Sequence, residues 1–149
     1  MACLFCQIAR GEAPAYRVLE DEASVAFLDH RPLFPGHCLL VPRDHYETLM
    51  DLPPALLGPL FRNAQVLARA MEVALGAEGS FVAINNRVSQ SVPHVHIHIV
   101  PRRKGDGLRG FFWPRQRYRS AAEMEAVQKA LREAIERLQV GEGSAEPQR

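Results

Sequence analysis

The sequence has no apolar run approaching the ~20 residues that cross a bilayer, so a helical membrane span is not expected. It also has almost no excess of charge. Eighteen Lys and Arg stand against seventeen Asp and Glu, a net +1, too little for field-driven capture by nucleic acid or an anionic lipid surface. Cysteine is scarce, with three in all and two of them three residues apart, which suits a reducing compartment and a metal better than a disulfide framework. The opening residues carry no basic segment followed by a long apolar one, so no secretory signal is expected. The expectation is a cytoplasmic protein with neither nucleic acid nor membrane as partner. No internal repeat or low-complexity segment is present. With 47% hydrophobic and 23% charged residues in 149, the composition is that of a globular chain long enough for a real core. Residues 1–140 are expected to form one domain and 141–149 a disordered tail.

One stretch stands out from this even background. Between Ser89 and Pro101, His94, His96 and His98 alternate with Val95, Ile97 and Ile99. A period of two with β-branched residues predicts a strand over 92–100. It would place all three imidazoles on one face, successive Cα atoms ~6.6–7 Å apart. Serine, threonine or lysine would suffice on an ordinary polar face. Three imidazoles instead put titratable, nucleophilic or metal-binding nitrogen at every polar position. The middle one, His96, has a neighbour on each side.

Around it, hydrophobic spacing predicts a short helix over 3–10 ended by Gly11, with Leu4, Phe5 and Ile8 on one face. Strands are expected over 16–20 and 23–29, then a doubly buried one over 37–42. A helix to Leu75 is expected with Asp51 as its N-cap, and Gly58-Pro59 calls for a later start or a kink. Its buried stripe would run through Leu56, Leu60, Asn63, Leu67, Ala70 and Ala74, widened by Phe61, Met71 and Leu75. A strand over 80–84 and a turn over 85–90 lead to the triad. The segment 102–119 is irregular and basic, with Trp113 in its middle. Ser120 and Glu123 form a capping box that opens a helix to Gln139, with Met124, Val127, Leu131, Ile135 and Leu138 as its buried stripe. Strands in a run, one long inserted helix and a closing helix make an α+β fold on an antiparallel sheet of about five strands.

The pattern His94 to Val100 resembles the histidine triad family, His-φ-His-φ-His-φ-φ with φ apolar. Leu4 to Ile8, Glu20 to Glu22, Ala26 to Asp29, Pro35 to Pro42, Asn85-Asn86 and Pro101-Arg102 extend the resemblance in family order across residues 2–107. The resemblance implies the same fold, as a homodimer whose two sheets join into one. It implies His96 as a nucleophile that forms a nucleotidyl-histidine at an α-phosphate. His98 would then serve a phosphate oxygen or the leaving group, with His37 completing the cluster. It also implies Gln90 and Ser91 at the phosphate, Asn85 beside the nucleotide, and Asp29 on the ribose. Leu4, Phe5, Ile8 and Phe27 would wall a purine, with core packing as their competing role. The turn over 85–90 is shorter than in many members, which leaves the polar position open between Asn85 and Asn86. His98 stands where the nucleotidyltransferase branch has Gln, so the resemblance favours hydrolysis of a phosphoramidate or dinucleoside polyphosphate. Two other readings compete: a nucleotide-binding regulatory protein with little turnover, and a metalloenzyme using His94, His96 and His98 as ligands. The arginines of 102–119, Arg109 and Arg115 among them, would favour substrates with several phosphates.

Cys3 and Cys6 offer two thiolates, and structural zinc takes four ligands from Cys and His. His45 and His94 are the candidates for the other two, and a subset of bacterial members is similar in carrying this set. Zinc held so would be structural.

Overall fold

The computed structural model describes residues 2–108 and 115–143, the last two by backbone alone. It divides into two compact units, 1–106 and 107–149.

The first unit contains α1 (Leu4–Ala9), β1 (Arg17–Glu20), β2 (Ser24–Leu28), β3 (Cys38–Pro42), α2 (Pro54–Leu75), β4 (Gly79–Ala83) and β5 (Ile97–Arg102). The five strands form one antiparallel sheet, as the sequence pattern predicts, and their order is β1-β2-β3-β5-β4. β2 and β3 are central and buried on both faces. Their side chains alternate between two cores. Ala26, Cys38 and Leu40, with Ile97 and Ile99 of β5, meet Leu60, Ala64, Leu67 and Met71 of α2. Val25, Phe27, Leu39 and Val41 point the other way, onto Phe5, Ile8 and Ala9 of α1. The sheet thus holds α1, with Cys6 in it and Cys3 just before it, on the face opposite the long helix.

The buried stripe of α2 is Leu60, Asn63, Ala64, Leu67 and Met71; Ala70 and Ala74 are exposed. Asn63 is tolerated there because its Nδ2 donates to Asp21 Oδ2 at 2.6 Å and Ser24 Oγ at 2.7 Å, so burial leaves no unmade bond. Asp51 does not cap α2. It closes a capping box with Thr48 on a separate 3-10 turn, Leu49–Asp51. Pro53 then precedes a helix that starts at Pro54 and runs through Pro59, so of the two expectations from Gly58-Pro59, a later start or a kink, the later start is not observed. Pro54 is costless at the first helical position, whose N–H has no intrahelical partner anyway, whereas Pro59 forfeits one internal bond.

Two further expectations are corrected. The triad strand begins at Ile97, not Val92, so only His98 of the three histidines lies in it. The ladder with β3 ends at the Leu40–Ile97 pair. Pro93 has no N–H to extend it, and the His94 N–H turns back to Val92 O at 2.8 Å. The second correction concerns α3 (Ala121–Gly143) in the second unit. Met124, Val127, Leu131, Ile135 and Leu138 share a face as spaced, yet each is 40–68% exposed. Periodicity marks an apolar face without saying what covers it. α3 also continues past Gln139 through Gly141, at the modest cost of a helical glycine.

Candidate functional site

Pro35-Gly36 sets up the first functional side chain. Gly36 has φ +102°, and a Cβ there would collide with Leu75, so only glycine makes this turn comfortably. His37 follows it, 3% exposed. The Leu33 N–H donates to His37 Nδ1 at 3.1 Å. That nitrogen therefore carries the lone pair, and the ring proton sits on Nε2. His37 Nε2–H in turn donates to His98 Nδ1 at 3.0 Å, which puts the His98 proton on Nε2. His96 is held separately: its Nδ1–H donates to the His94 carbonyl at 2.8 Å, leaving the Nε2 lone pair uncommitted. Its ring stands edge-on to Phe5 and to His98, with centroids 5.1 and 4.9 Å apart. The backbone thus assigns every tautomer: a bare nitrogen on His96 beside an N–H on His98.

Burial pushes His37 below its ordinary value, and His96 adds to this against the pull of Asp29 Oδ2, 3.7 Å from His37 Nε2. Burial, then His96 and His37, take His98 down to about 4. Both rings are neutral near pH 7, as the hydrogen-bond chain requires. A consequence for stability follows. In the folded chain these two stay neutral, while in the unfolded chain they titrate near 6.5. Unfolding therefore takes up protons below pH 6.5, and the contribution is complete above that value and lost as pH falls toward 4. Thermal denaturation should show a midpoint that is steady above pH 6.5 and falls below it. A midpoint that rose on acidification would contradict the assignment.

His96 and His98 line a cavity of about 610 Å³ with Leu4, Phe5, Ile8, Phe27, Asp29 and Ser91, a size typical of small-molecule sites. Eight of the residues singled out in the sequence meet there. Phe5 and Phe27 form its inner wall edge to face, 5.5 Å apart. Sequence reasoning missed Tyr16 and His30, which also line it; the one available signal was adjacency, His30 following Asp29 and Tyr16 opening the first strand. Asn85 and Gln90 are not among the lining residues. Gln90 is engaged in its loop, donating to Glu47 O at 2.6 Å and accepting from the Arg87 N–H at 2.8 Å. Asn86 accepts from the Leu49 N–H. Arg109 and Trp113 lie outside the described residues.

His94 belongs to a different cluster. Its Nε2–H donates to Pro42 O at 2.9 Å, so its Nδ1 lone pair faces Cys3 Sγ and Cys6 Sγ, each 3.5 Å away. Cys6 Sγ also lies 3.3 Å from His45 Nδ1. The four ligand atoms fall within 4.8 Å of one another. Zinc bonds of ~2.3 Å to sulfur and ~2.0–2.1 Å to nitrogen at the tetrahedral angle give a sulfur–nitrogen edge of about 3.6 Å, close to the spacings here. Burial and then Cys3 push the Cys6 thiol up; a bound cation reverses that, since it takes the thiolate. The set fits a metal ion.

Asp29, His37 and His98 also lie close enough to share an ion, but the tautomers oppose it. A metal on His37 Nε2 would drive the proton to Nδ1, against the Leu33 N–H. The reading in which His94, His96 and His98 bind one metal also fails on geometry. Among the described residues, the His94 nitrogen available to a metal faces the thiols, and of the two clusters able to hold an ion one contains His94, the other His98, and neither contains His96.

Both clusters lie on the face of the sheet that carries α1, around a run of three alternating histidines. A family model described as the HIT domain matches residues 10–105, and the chain belongs to this family. An uncharacterised HIT-like protein of Mycobacterium tuberculosis is 40% identical over 140 residues, covering 91% of this chain and 94% of that one. An adenosine 5′-monophosphoramidase of Saccharomyces cerevisiae is 34% identical, over 77% of this chain and 72% of its own. A zinc-bound histidine triad family protein from Mycobacterium smegmatis has a similar structure, with a TM-score of 0.69 and 36% identity over 87% of this chain and 97% of that one. No described helix is long and apolar enough to cross a membrane.

Proposed function

We propose that this protein is a nucleotide hydrolase that cleaves at the α-phosphate of a purine nucleoside phosphoramidate or dinucleoside polyphosphate, through a nucleotidyl-His96 intermediate. The observation that carries the reading is the His96 ring at the pocket. Its Nδ1–H is tied to the His94 carbonyl, and its Nε2 lone pair is left beside the His98 N–H. A neutral imidazole held by its distal nitrogen is an activated nucleophile.

In the first step Nε2 attacks phosphorus, and the bond to the leaving nitrogen or oxygen breaks with its electron pair. The His98 Nε2–H, oriented by His37, donates a hydrogen bond to that atom or to a phosphate oxygen as charge develops. With His98 neutral near pH 7, it is a fixed donor rather than a strong acid. Such a donor suits leaving groups that depart as weakly basic phosphates, or a phosphoramidate already protonated on its nitrogen by solvent, which departs as a neutral amine. Water then cleaves the phosphorus–His96 bond, returning the nitrogen lone pair and releasing the nucleoside monophosphate. The apolar walls Leu4, Phe5, Ile8 and Phe27 would hold the base, and Asp29 would accept from the ribose hydroxyls. Ser91 lies where it could donate to phosphate, and Asn85 and Gln90 could join only if their loop rearranges on binding.

Cys3, Cys6, His45 and His94 would hold a structural zinc ion, since four protein ligands leave no position for substrate. β4 is an edge strand with Val82 45% exposed, which supports sheet-to-sheet pairing of two copies. The similarity to a monophosphoramidase supports the substrate class. The regulatory alternative predicts tight purine monophosphate binding with little turnover.

Adenosine phosphoramidate and diadenosine polyphosphates should be assayed side by side for release of AMP. The expected result is turnover of at least one with kcat/KM above ~10⁴ M⁻¹s⁻¹. Tight AMP binding with no release from either would favour the regulatory protein.

A further inference from the structure

Cys3 and Cys6 bracket two residues of the cavity at His96. Leu4 and Phe5 stand between them in sequence, and both line that cavity. The Phe5 ring also lies edge-on to His94 of the metal set and to His96, with centroids 6.0 and 5.1 Å apart. A change in how the two sulfurs are held therefore moves a pocket wall. Both thiols are free of disulfides, and neither takes part in the chemistry at His96.

The geometry lets the two sulfurs join. Their Sγ atoms lie within 4.8 Å of each other. Leu4 and Phe5 are helical, which sets the Cα atoms of residues 3 and 6 on the order of 5 Å apart, inside the ~4.4–6.8 Å span of a disulfide. Cys3 precedes the helix in extended conformation and makes no side-chain cap bond, so turning its side chain breaks no cap. Access is also present. Cys3 is partly exposed, and Cys6 lines a second cavity of about 460 Å³ beside Arg43 and the exposed His45. In a tetrahedral zinc site two sulfurs stand about 3.8 Å apart, whereas a disulfide holds them at ~2.05 Å. The two states exclude each other.

We propose that Cys3 and Cys6 are a reversible oxidation site, where a peroxide replaces the bound metal with a disulfide and weakens the hold on the nucleotide. The Cys3 thiolate attacks one peroxide oxygen; the O–O bond breaks and hydroxide leaves, giving a sulfenic acid. The Cys6 thiolate attacks that sulfur, the S–O bond breaks, and a second hydroxide leaves. Two thiolates thus give two electrons to one peroxide, and solvent protonates both hydroxides to water. His45 and His94 lose their sulfur partners, and Leu4 and Phe5 shift with the closing link. A dithiol reverses the step. Transient disulfides of this kind suit a reducing compartment. The inference rests on the zinc and nucleotide readings above.

The test treats the full chain, loaded with one equivalent of zinc, with hydrogen peroxide. Arg10 is the first tryptic cleavage point, so Cys3 and Cys6 share peptide 1–10 while Cys38 lies in another. That peptide should lose the mass of two hydrogens, and zinc should appear in solution in equal amount. AMP affinity should fall by about tenfold, the scale of losing one apolar side chain from a pocket, and amide exchange over α1 should rise. Dithiothreitol with zinc should restore all four. Zinc content and AMP affinity are measured first on the reduced chain, so that failure of either underlying reading shows there; the mass and exchange readouts do not depend on them. Peptide 1–10 that keeps both thiols after peroxide, or passes to a sulfinic acid that dithiothreitol does not reverse, would overturn the proposal. So would a disulfide that forms with zinc retained and AMP affinity unchanged.

Discussion

His96→Ala is expected to lower turnover of an adenosine phosphoramidate or dinucleoside polyphosphate by on the order of 10⁴ to 10⁶, the range seen when a nucleophile is removed from a group acting as a unit. The reason lies in how the ring is held. The His96 ring is 4% exposed, fixed at Nδ1 by a carbonyl, and stacked edge-on to Phe5 and His98. Of the two triad rings at the cavity, His96 presents a bare nitrogen and His98 an N–H. Alanine removes the nucleophile but leaves the pocket walls, so binding of AMP should change little compared with turnover. Kinetic assay beside a binding measurement separates the two. Undiminished turnover would exclude His96 as the nucleophile, and equal losses of binding and turnover would point to a collapsed pocket.

Cys6→Ser is expected to lose about one zinc per chain and to lower the thermal midpoint by roughly 8–16 °C. The size follows from two general scales. A metal present at a thousand times its Kd contributes about 4 kcal/mol, and a chain of this size shifts by about 2–4 °C per kcal/mol. The local structure gives that loss a path. Cys3 is the residue before α1 and Cys6 lies within it, while His45 and His94 belong to segments beyond β3 and before β5. The ion would pin the helix that carries Leu4, Phe5 and Ile8 to the sheet. Metal analysis of untagged protein, with calorimetry of both forms, checks the expectation. Metal-free wild-type protein that is equally stable would contradict it. Because His94 offers its ring to the thiols and its carbonyl to His96, the variant should also weaken catalysis, but by far less than His96→Ala.

Much of this was legible in the residues, and the exceptions share a cause. Alternation in β1 and β2, the continuous apolar run of β3 and the β-branched run of the triad located the five strands to within a residue or two, apart from the start of β5. There the period of two continued through His94 and His96, but strand pairing depends on a neighbour. On the β5 side the β3 ladder ends at Leu40, and Pro93 cannot supply a donor. The three alternating histidines and the Cys3–Cys6 pair stood out by type and spacing, and the family resemblance supplied the remaining candidates. Their division into a catalytic and a metal set came with the resemblance, and how each ring is aimed was not legible, because it rests on main-chain groups that have no sequence signature: the Pro42 carbonyl turns His94 toward the cysteines, the His94 carbonyl aims His96, and the Leu33 N–H orients His37 and through it His98. The α3 stripe was visible as a pattern, yet exposure is a property of what packs on it, and a pattern alone carries no partner.

The central claim is that a covalent nucleotide passes through His96 Nε2. Rapid acid-free quenching during turnover of an adenosine phosphoramidate, followed by digestion and mass spectrometry, tests it most directly. The account predicts an adenylyl group on the peptide containing His96, formed and discharged at rates that match turnover and absent from His96→Ala. Full turnover with no label on any histidine, or label confined to His98, would contradict it.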